Sequence, residues 1–419
     1  MPTSRIVELA QLISSQTSAI DENICSSGLP QPSFEPGTGS SQLDQKPYPP
    51  DIEKAKNDVV EATIELRQLL EGPLKLLLPE ASTRTSPLAA VHRFKIASFV
   101  PPDSSVSFKE LAEKCGLLEH DLQRVIRYTA AHHRVFREPE KGMVAHTAAS
   151  KLLAGSDMAR DIMALTFDEC WPAHGRAIEA MAQKSEEPNV SGYALANNTT
   201  LNTFDFLAEH PSRAQSFAGA MSGTSPASLN ALSTYFDWSK LPPNSIVVDI
   251  GGSQGHVSVH LARQFPHLKF IVQDMGQVVE GAEAKIPDDV KERVEVKIHD
   301  MFTEQPVKGA DVYLLRYVLH DWPDKYCVKV LQQLVPAMKK GAKVLVQDHL
   351  LPEPGSLSLL REMQIRSMDA IMLSLFNSRE REEEDWKELF TAADKGFGSF
   401  NAHRIKENPS TGVMVAEWA

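Results

Sequence analysis

The spacing of apolar positions along this chain changes near residue 244, and the change divides it. Before that point they recur at helical intervals. Residues 4–21 carry Ile6, Val7, Leu9, Ala10, Leu12 and Ile13, the pattern of a short amphipathic helix. Residues 26–50, rich in Ser, Gly, Pro and Gln, read as a flexible arm. From Asp51 to Leu78 the helical spacing returns with Val59, Val60, Ile64, Leu66, Leu69 and Leu70, and Gly72-Pro73 ends it.

Residues 105–154 predict a winged helix-turn-helix. Ser107 can cap a helix carrying Leu111, Ala112 and Cys115, and Gly116 fits its stop. A second helix follows from Glu119 to His132, with Leu122, Val125, Ile126 and Tyr128 on one face. Val135-Phe136-Arg137 and Met143-Val144-Ala145-His146 then frame a hairpin at Gly142.

Beyond Asn244 short apolar runs alternate with helical patterns. Strands are predicted at 246–250, 270–273, 294–298, 312–319 and 343–347, with helices at 256–265, 278–284 and 325–338. Residues 400–405 and 412–417 look like a closing antiparallel pair. This alternation specifies a doubly wound, mostly parallel α/β sheet with right-handed crossovers.

Composition narrows the function. At 419 residues the chain should hold two or more domains. A net charge of −12 argues against a general nucleic-acid binder. The 105–155 region carries eight Lys/Arg against six Asp/Glu, too small a surplus for a phosphate-tracking surface. A structural or dimerising winged helix is therefore expected. Cys25, Cys115, Cys170 and Cys327 have no paired spacing, which suggests reduced thiols and no zinc site. No apolar stretch approaches the roughly 20 residues of a membrane span, and no secretory signal is visible. A soluble, cytoplasmic protein is expected.

The candidate chemistry gathers on the predicted sheet. Ile246–Ile250 runs into Gly251-Gly252-Ser253-Gln254-Gly255, a turn that can seat a nucleotide-like ligand at the carboxyl edge of a parallel sheet. It matches neither the Gly-x-Gly-x-x-Gly of dinucleotide dehydrogenases nor a Walker loop. Asp274 ends the second strand, where an acid can accept from ribose hydroxyls, and Asp300-Met301-Phe302 follows the third. Asp249 is better placed to orient the glycine turn. His320 ends the run Val312–Leu319 and brings a titratable imidazole to the same edge.

With these residues the chain resembles the S-adenosylmethionine-dependent O-methyltransferases that include plant caffeic acid methyltransferases and fungal polyketide methyltransferases. The resemblance rests on Val248–Gly255, Asp274, Asp300-Met301-Phe302, Arg316, Leu319-His320-Asp321-Trp322, Lys343–Asp348 and Arg379-Glu380-Arg381, and covers about residues 90–419. It implies a Rossmann-like catalytic domain preceded by an α-helical winged-helix domain that forms a homodimer. The expected division is an N-terminal helix and arm over 1–50, a dimerising and substrate-covering domain over 51–240, and a cofactor-binding catalytic domain over 241–419.

By the same resemblance, Gly251 and Gly252 admit the methionine part of the cofactor. Asp274 holds the ribose, and Asp300 and Met301 the adenine. Arg316 stands where the family commonly has lysine, near the cofactor. His320 matches the catalytic base, and Asp348 and Glu380 the acids flanking it, with Asp348 replacing the glutamate of plant members. Ser253 replaces a third glycine. Phe204, Phe206, Phe217, Met221, Tyr317, Trp322, Ile371 and Met372 are candidate substrate walls by motif position. The implied reaction is methylation of a hydroxyl on a phenolic or polyketide-like small molecule, with no metal. A histidine near its usual pKa of about 6.5 would take the proton as the new bond forms. The alternative is a relative that keeps the cofactor and catalyses a pericyclic cyclisation or a dehydration.

Overall fold

The computed structural model describes residues 3–37, 48–78, 81–221, 226–406 and 408–419. Of the flexible arm expected at 26–50, residues 38–47 lie outside that description. The chain groups into two compact units, one of residues 1–168 and 215–220, the other of 169–214 and 221–419.

The first unit is helical. Arg5–Ser26 and Pro50–Glu71 pack together, with Leu9, Ile24, Ile52, Ala55 and Ala62 buried. Arg5 donates through Nε and Nη2 to both oxygens of Glu65 at 2.7 Å. Gly72, at φ 76°, ends the second helix before Pro73 restarts a short turn. The winged-helix expectation holds. Ser107 accepts the Glu110 N–H at 3.2 Å and starts Phe108–Cys115, Gly116 closes it at φ 69°, and Glu119–His133 follows. The strands β1 (Val106–Ser107) and β2 (Met143–Val144) pair antiparallel, and Arg137 bridges Ala145. Ile96, Phe108, Leu111, Leu122, Ile126, Phe136 and Val144 form its core.

The second unit is built on a seven-stranded sheet. Its strands are β3 (Ile246–Ile250), β4 (Lys269–Asp274), β5 (Val294–Ile298), β6 (Val312–Arg316), β7 (Lys343–His349), β8 (Phe397–Arg404) and β9 (Thr411–Trp418). Their order is β5-β4-β3-β6-β7-β9-β8. The first five run parallel, and β9 pairs antiparallel with both β7 and β8. Alternate side chains enter different cores: Val248, Tyr313, Leu315, Val344 and Val346 pack on one face, and Val247, Val312, Leu314 and Leu345 on the other. Both faces of the central strands are thus apolar. The order reverses between β3 and β6, the position at which open sheets of this kind bind ligands.

Three elements differ from their sequence expectations, each for a local reason. The strand expected to reach Leu319 stops at Arg316, because Tyr317 turns left-handed at φ 50°, and His320 sits instead in a 3-10 turn, Leu319–Asp321. The helix expected at 278–284 is only Gly276–Val279, since Gly281 at φ 69° interrupts it before a 3-10 turn at Glu283–Lys285. The helix expected to reach Met338 ends at Leu334 and tightens to a 3-10 turn around Pro336, which has no N–H to donate.

Candidate active site

Two turns leave the carboxyl edge of the sheet side by side, since β3 and β6 are neighbours. The first is the glycine turn. Gly251 has φ 69°, and a Cβ there would stand 2.8 Å from Val318 Cγ2. At Gly252 a Cβ would meet Asp249 Cγ at 2.7 Å and Val272 Cγ1 at 2.9 Å. Only glycine lets the backbone run so closely between those side chains. Both glycine N–H groups donate to Gln273 O, at 2.8 and 3.2 Å, which ties the turn to β4. Ser253 takes a left-handed φ of 52° and donates its N–H to Asp274 Oδ2 at 2.9 Å. Ser253 thus takes a left-handed conformation without being glycine.

The predicted cofactor residues surround this turn. Asp249 is buried behind it and accepts the Ser258 hydroxyl at 2.7 Å; burial pushes its carboxyl up to about 6. Asp274, at the end of β4, also accepts the Met275 N–H at 2.8 Å, and burial raises its carboxyl. His299 donates its N–H to Asp274 O, which brings the ends of β4 and β5 together just before Asp300 and Met301. Asp300 Oδ1 holds the Phe302 N–H at 2.9 Å, while Met301 packs against the sheet core. Arg316 donates Nε–H to Gln347 at 2.9 Å and lies 4.7 Å over the Tyr317 ring. A side-chain-free glycine cradle flanked by a strand-end carboxylate fits a nucleoside cofactor.

The second turn carries His320. Its ring Nδ1 lies 3.0 Å from Glu380 Oε1 and 3.4 Å from Asp348 Oδ1, while Nε2 lies 3.6 Å from Asp321 Oδ1. Asp348 also accepts the His320 backbone N–H through Oδ2 at 3.2 Å and the His349 N–H through Oδ1 at 2.9 Å. The three predicted catalytic residues are therefore in contact. Aspartate still reaches His320 in spite of its missing methylene, by way of the backbone N–H.

The electrostatics differ from those of an imidazole in water. Burial disfavours the charged ring, but Asp348, Asp321 and Glu380 outweigh it and carry His320 up to about 10. The carboxylates around the ring thus favour its protonated form. Burial lifts Asp321 to about 7 and raises Asp348 as well. Glu380 goes the other way despite its burial, because it makes the shorter contact with the ring. An ionised Glu380 can only accept, so the Nδ1–Glu380 bond requires the proton on Nδ1 and leaves Nε2 to exchange protons.

The predicted substrate residues separate. Tyr317 tilts against His320, ring centroids 5.7 Å apart, and Trp322 follows two residues later. Trp322 stacks on Phe204 at 5.7 Å and meets Phe302 edge-on at 4.7 Å, and Phe204 stacks on Phe376 at 5.3 Å. Met372 is buried and Ile371 half-buried on the helix Leu359–Phe376. Phe206 belongs to another cluster, stacked on His210 at 3.9 Å, edge-on to Tyr193, and under the Arg213 guanidinium at 4.9 Å. Phe217 lies in the segment that groups with the first unit, and Met221 is half exposed.

Several residues at this site were given no role from sequence. Asp321 stood within the quoted motif, and its signal was simple adjacency to His320. His349 lies 5.8 Å from the His320 ring and 5.3 Å from Tyr317. Among the described residues His320, His349 and Glu380 each bring one possible metal-ligand atom within 4.8 Å of the others. An ion drawn there would need a lone pair of the His320 ring and so would compete with its protons. Asp369 accepts the Glu380 N–H at 2.8 Å, and no sequence signal marked it.

Comparison with known proteins identifies the family and the fold. Residues 179–398 match the model of the O-methyltransferase domain family. The chain is 41% identical over 421 residues to the grayanic acid biosynthesis cluster O-methyltransferase of Cladonia grayi, spanning 99% of this chain and 88% of that protein. The crystal structure of OxaC superposes with a TM-score of 0.77 at 20% identity, covering 99% of this chain and all of that one. A structure described as a pericyclic reaction enzyme superposes at 0.69 with 23% identity, over 98% of this chain and all of that one, which bears on the fold alone.

Proposed function

Since the chain belongs to the S-adenosylmethionine-dependent O-methyltransferases of the kind that serve fungal secondary metabolism, we propose that His320 is its general base, taking the proton from a phenolic or polyketide hydroxyl as that oxygen is methylated. When bound, S-adenosylmethionine supplies an electrophilic methyl group on a positively charged sulfur. The observation that carries the reading is the 3.0 Å contact of Glu380 with His320 Nδ1. It fixes the tautomer, aims Nε2, and stabilises the imidazolium that forms.

The acceptor's proton would pass from its oxygen to Nε2 as that oxygen takes the methyl carbon, the S–C bond breaking with its electron pair left on sulfur. Concerted transfer matters because a phenol near pKa 10 resists ionisation by a weaker base. Only the neutral ring can take that proton, and the carboxylates around His320, which hold its pKa up, oppose the neutral form. Val318, two residues from the base, packs where a Gly251 side chain would be. Gly251, Gly252 and Asp274 hold the cofactor in this reading, with Asp300 and Met301 at its adenine and Arg316 between the two turns. Tyr317 and Trp322 wall the acceptor. Positioning the acceptor hydroxyl against the methyl donor would supply most of the acceleration.

The direct test incubates the protein with methyl-labelled S-adenosylmethionine and a panel of phenols. Label should enter the phenol oxygen, and His320→Ala should lower turnover by roughly 10²–10⁴-fold with cofactor affinity unchanged. Near-normal methylation of an unactivated phenol by His320→Ala would sink the assignment.

The same family reading leads us to propose a homodimer. Leu69, Leu70, Leu74, Leu76, Leu77 and Leu78 are all exposed at the end of the second helix and just beyond it, a surface that a second copy would cover. Light scattering should return about twice the 46.3 kDa chain mass, and a monomer mass at micromolar concentration would refute the dimer. Among the described residues no helix is long and apolar enough to cross a membrane.

A further inference from the structure

The turn that carries His320 is poorly held by its own residues. Tyr317 is left-handed without being glycine, Val318 at the N-cap offers no side-chain bond, and of the internal bonds Asp321 N–H to Val318 O is long at 3.3 Å beside Trp322 N–H to Leu319 O at 3.1 Å. Something else must fix the direction of the imidazole. The neighbour of Glu380 does so. Arg381 is among the largest fully buried side chains, with its guanidinium 5.3 Å over the Trp386 ring. Its Nη1 donates to Leu319 O at 3.2 Å, its Nη2 to Trp322 O at 2.7 Å, and its Nε to Asp324 Oδ1 at 2.8 Å. The two carbonyls flank His320 and Asp321. The Cys327 thiol reaches the same two carbonyls and receives a further contact from Nη2 at 3.4 Å.

Burying a guanidinium is a poor way to gain stability, since desolvation offsets most of the attraction and an apolar side chain of similar size packs as well. The planar fork does something an apolar residue cannot: it fixes two carbonyls and a carboxylate at set angles. We infer that Arg381 is a positioning residue for the reaction, locking the backbone on both sides of His320 while Glu380, one residue earlier, grips the ring. Adjacent residues of one segment thus hold the base by its side chain and by its main chain. The inference rests on the reading of His320 as the base.

The test separates positioning of the base from general damage. Full-length Arg381→Lys keeps the charge and loses the fork, and it is assayed on phenols of decreasing pKa alongside wild type and His320→Ala. Turnover of a weakly acidic phenol should fall by roughly 10–100-fold, the scale of a misplacement near 1 Å. The loss should shrink steadily toward an acidic nitrophenol, which needs less help from a base, and the cofactor Kd should stay within about twofold of wild type. Asp324→Asn, which removes the exposed end of the same network, should show the same trend more weakly and serves where the lysine variant does not fold. An equal loss on every acceptor, or no loss, overturns the inference. If His320→Ala itself shows no dependence on acceptor acidity, the base assignment fails instead.

Discussion

The turn after β3 and the turn after β6 leave neighbouring strands, yet they are shaped by opposite means. The glycine turn is made by its own residues: Gly251 and Ser253 take left-handed conformations, and the adjoining β4 receives their N–H groups. The His320 turn has no glycine and few good bonds of its own. Its geometry comes from Asp348, Glu380 and Arg381, which lie 28 to 62 positions further along. One turn needs backbone freedom so that a ligand can approach. The other needs a titratable ring held at a fixed angle, and neighbours in sequence cannot surround a ring on both sides.

Substitutions should therefore separate the two. A large loss in turnover is expected at Glu380, because its contact with Nδ1 fixes the tautomer. Glu380→Gln should cost roughly 10–100-fold, the usual effect of an outer partner of a functional histidine. Steady-state kinetics showing an unchanged rate would put the orienting group elsewhere. Asp274→Ala attacks the other turn and should weaken cofactor binding by about 1.5–3 kcal/mol, the worth of a hydrogen bond to a charged group. Turnover at saturating cofactor should remain close to wild type. Calorimetry that found no change in affinity would remove Asp274 from the site.

A smaller effect concerns pH. Burial pulls the His320 pKa down, and the carboxylates, Asp348 first, push it up further, to about 10. The competent base is the neutral ring, so activity should rise with pH as that proton leaves. Asp348→Asn removes a negative neighbour and lowers the pKa, which moves the acid limb of the profile to lower pH, by about one unit or more. A limb that stayed in place would show that Asp348 holds the backbone without governing the proton. Movement to higher pH would contradict the electrostatics altogether.

Much of the molecule was legible in the sequence because local rules govern those parts. Alternating apolar strands and helices specified the doubly wound sheet, since strands buried on both faces are apolar throughout. Ser107 and Gly116 marked the ends of a winged-helix element through ordinary capping chemistry. Gly251-Gly252 before a helix, with Asp274 at the next strand end, placed the glycine turn at the sheet edge from short-range signals. His320, Asp348 and Glu380 were recognisable as a set only through resemblance, since no spacing rule links positions 320, 348 and 380. Tertiary structure alone decided that His320 lies in a 3-10 turn beyond the strand, that three carboxylates encircle it, and that Arg381 clamps its main chain. Hydrogen bonds and desolvation act over a few ångströms in space, and the sheet's strand order, not the order of the chain, determines which residues meet at that distance.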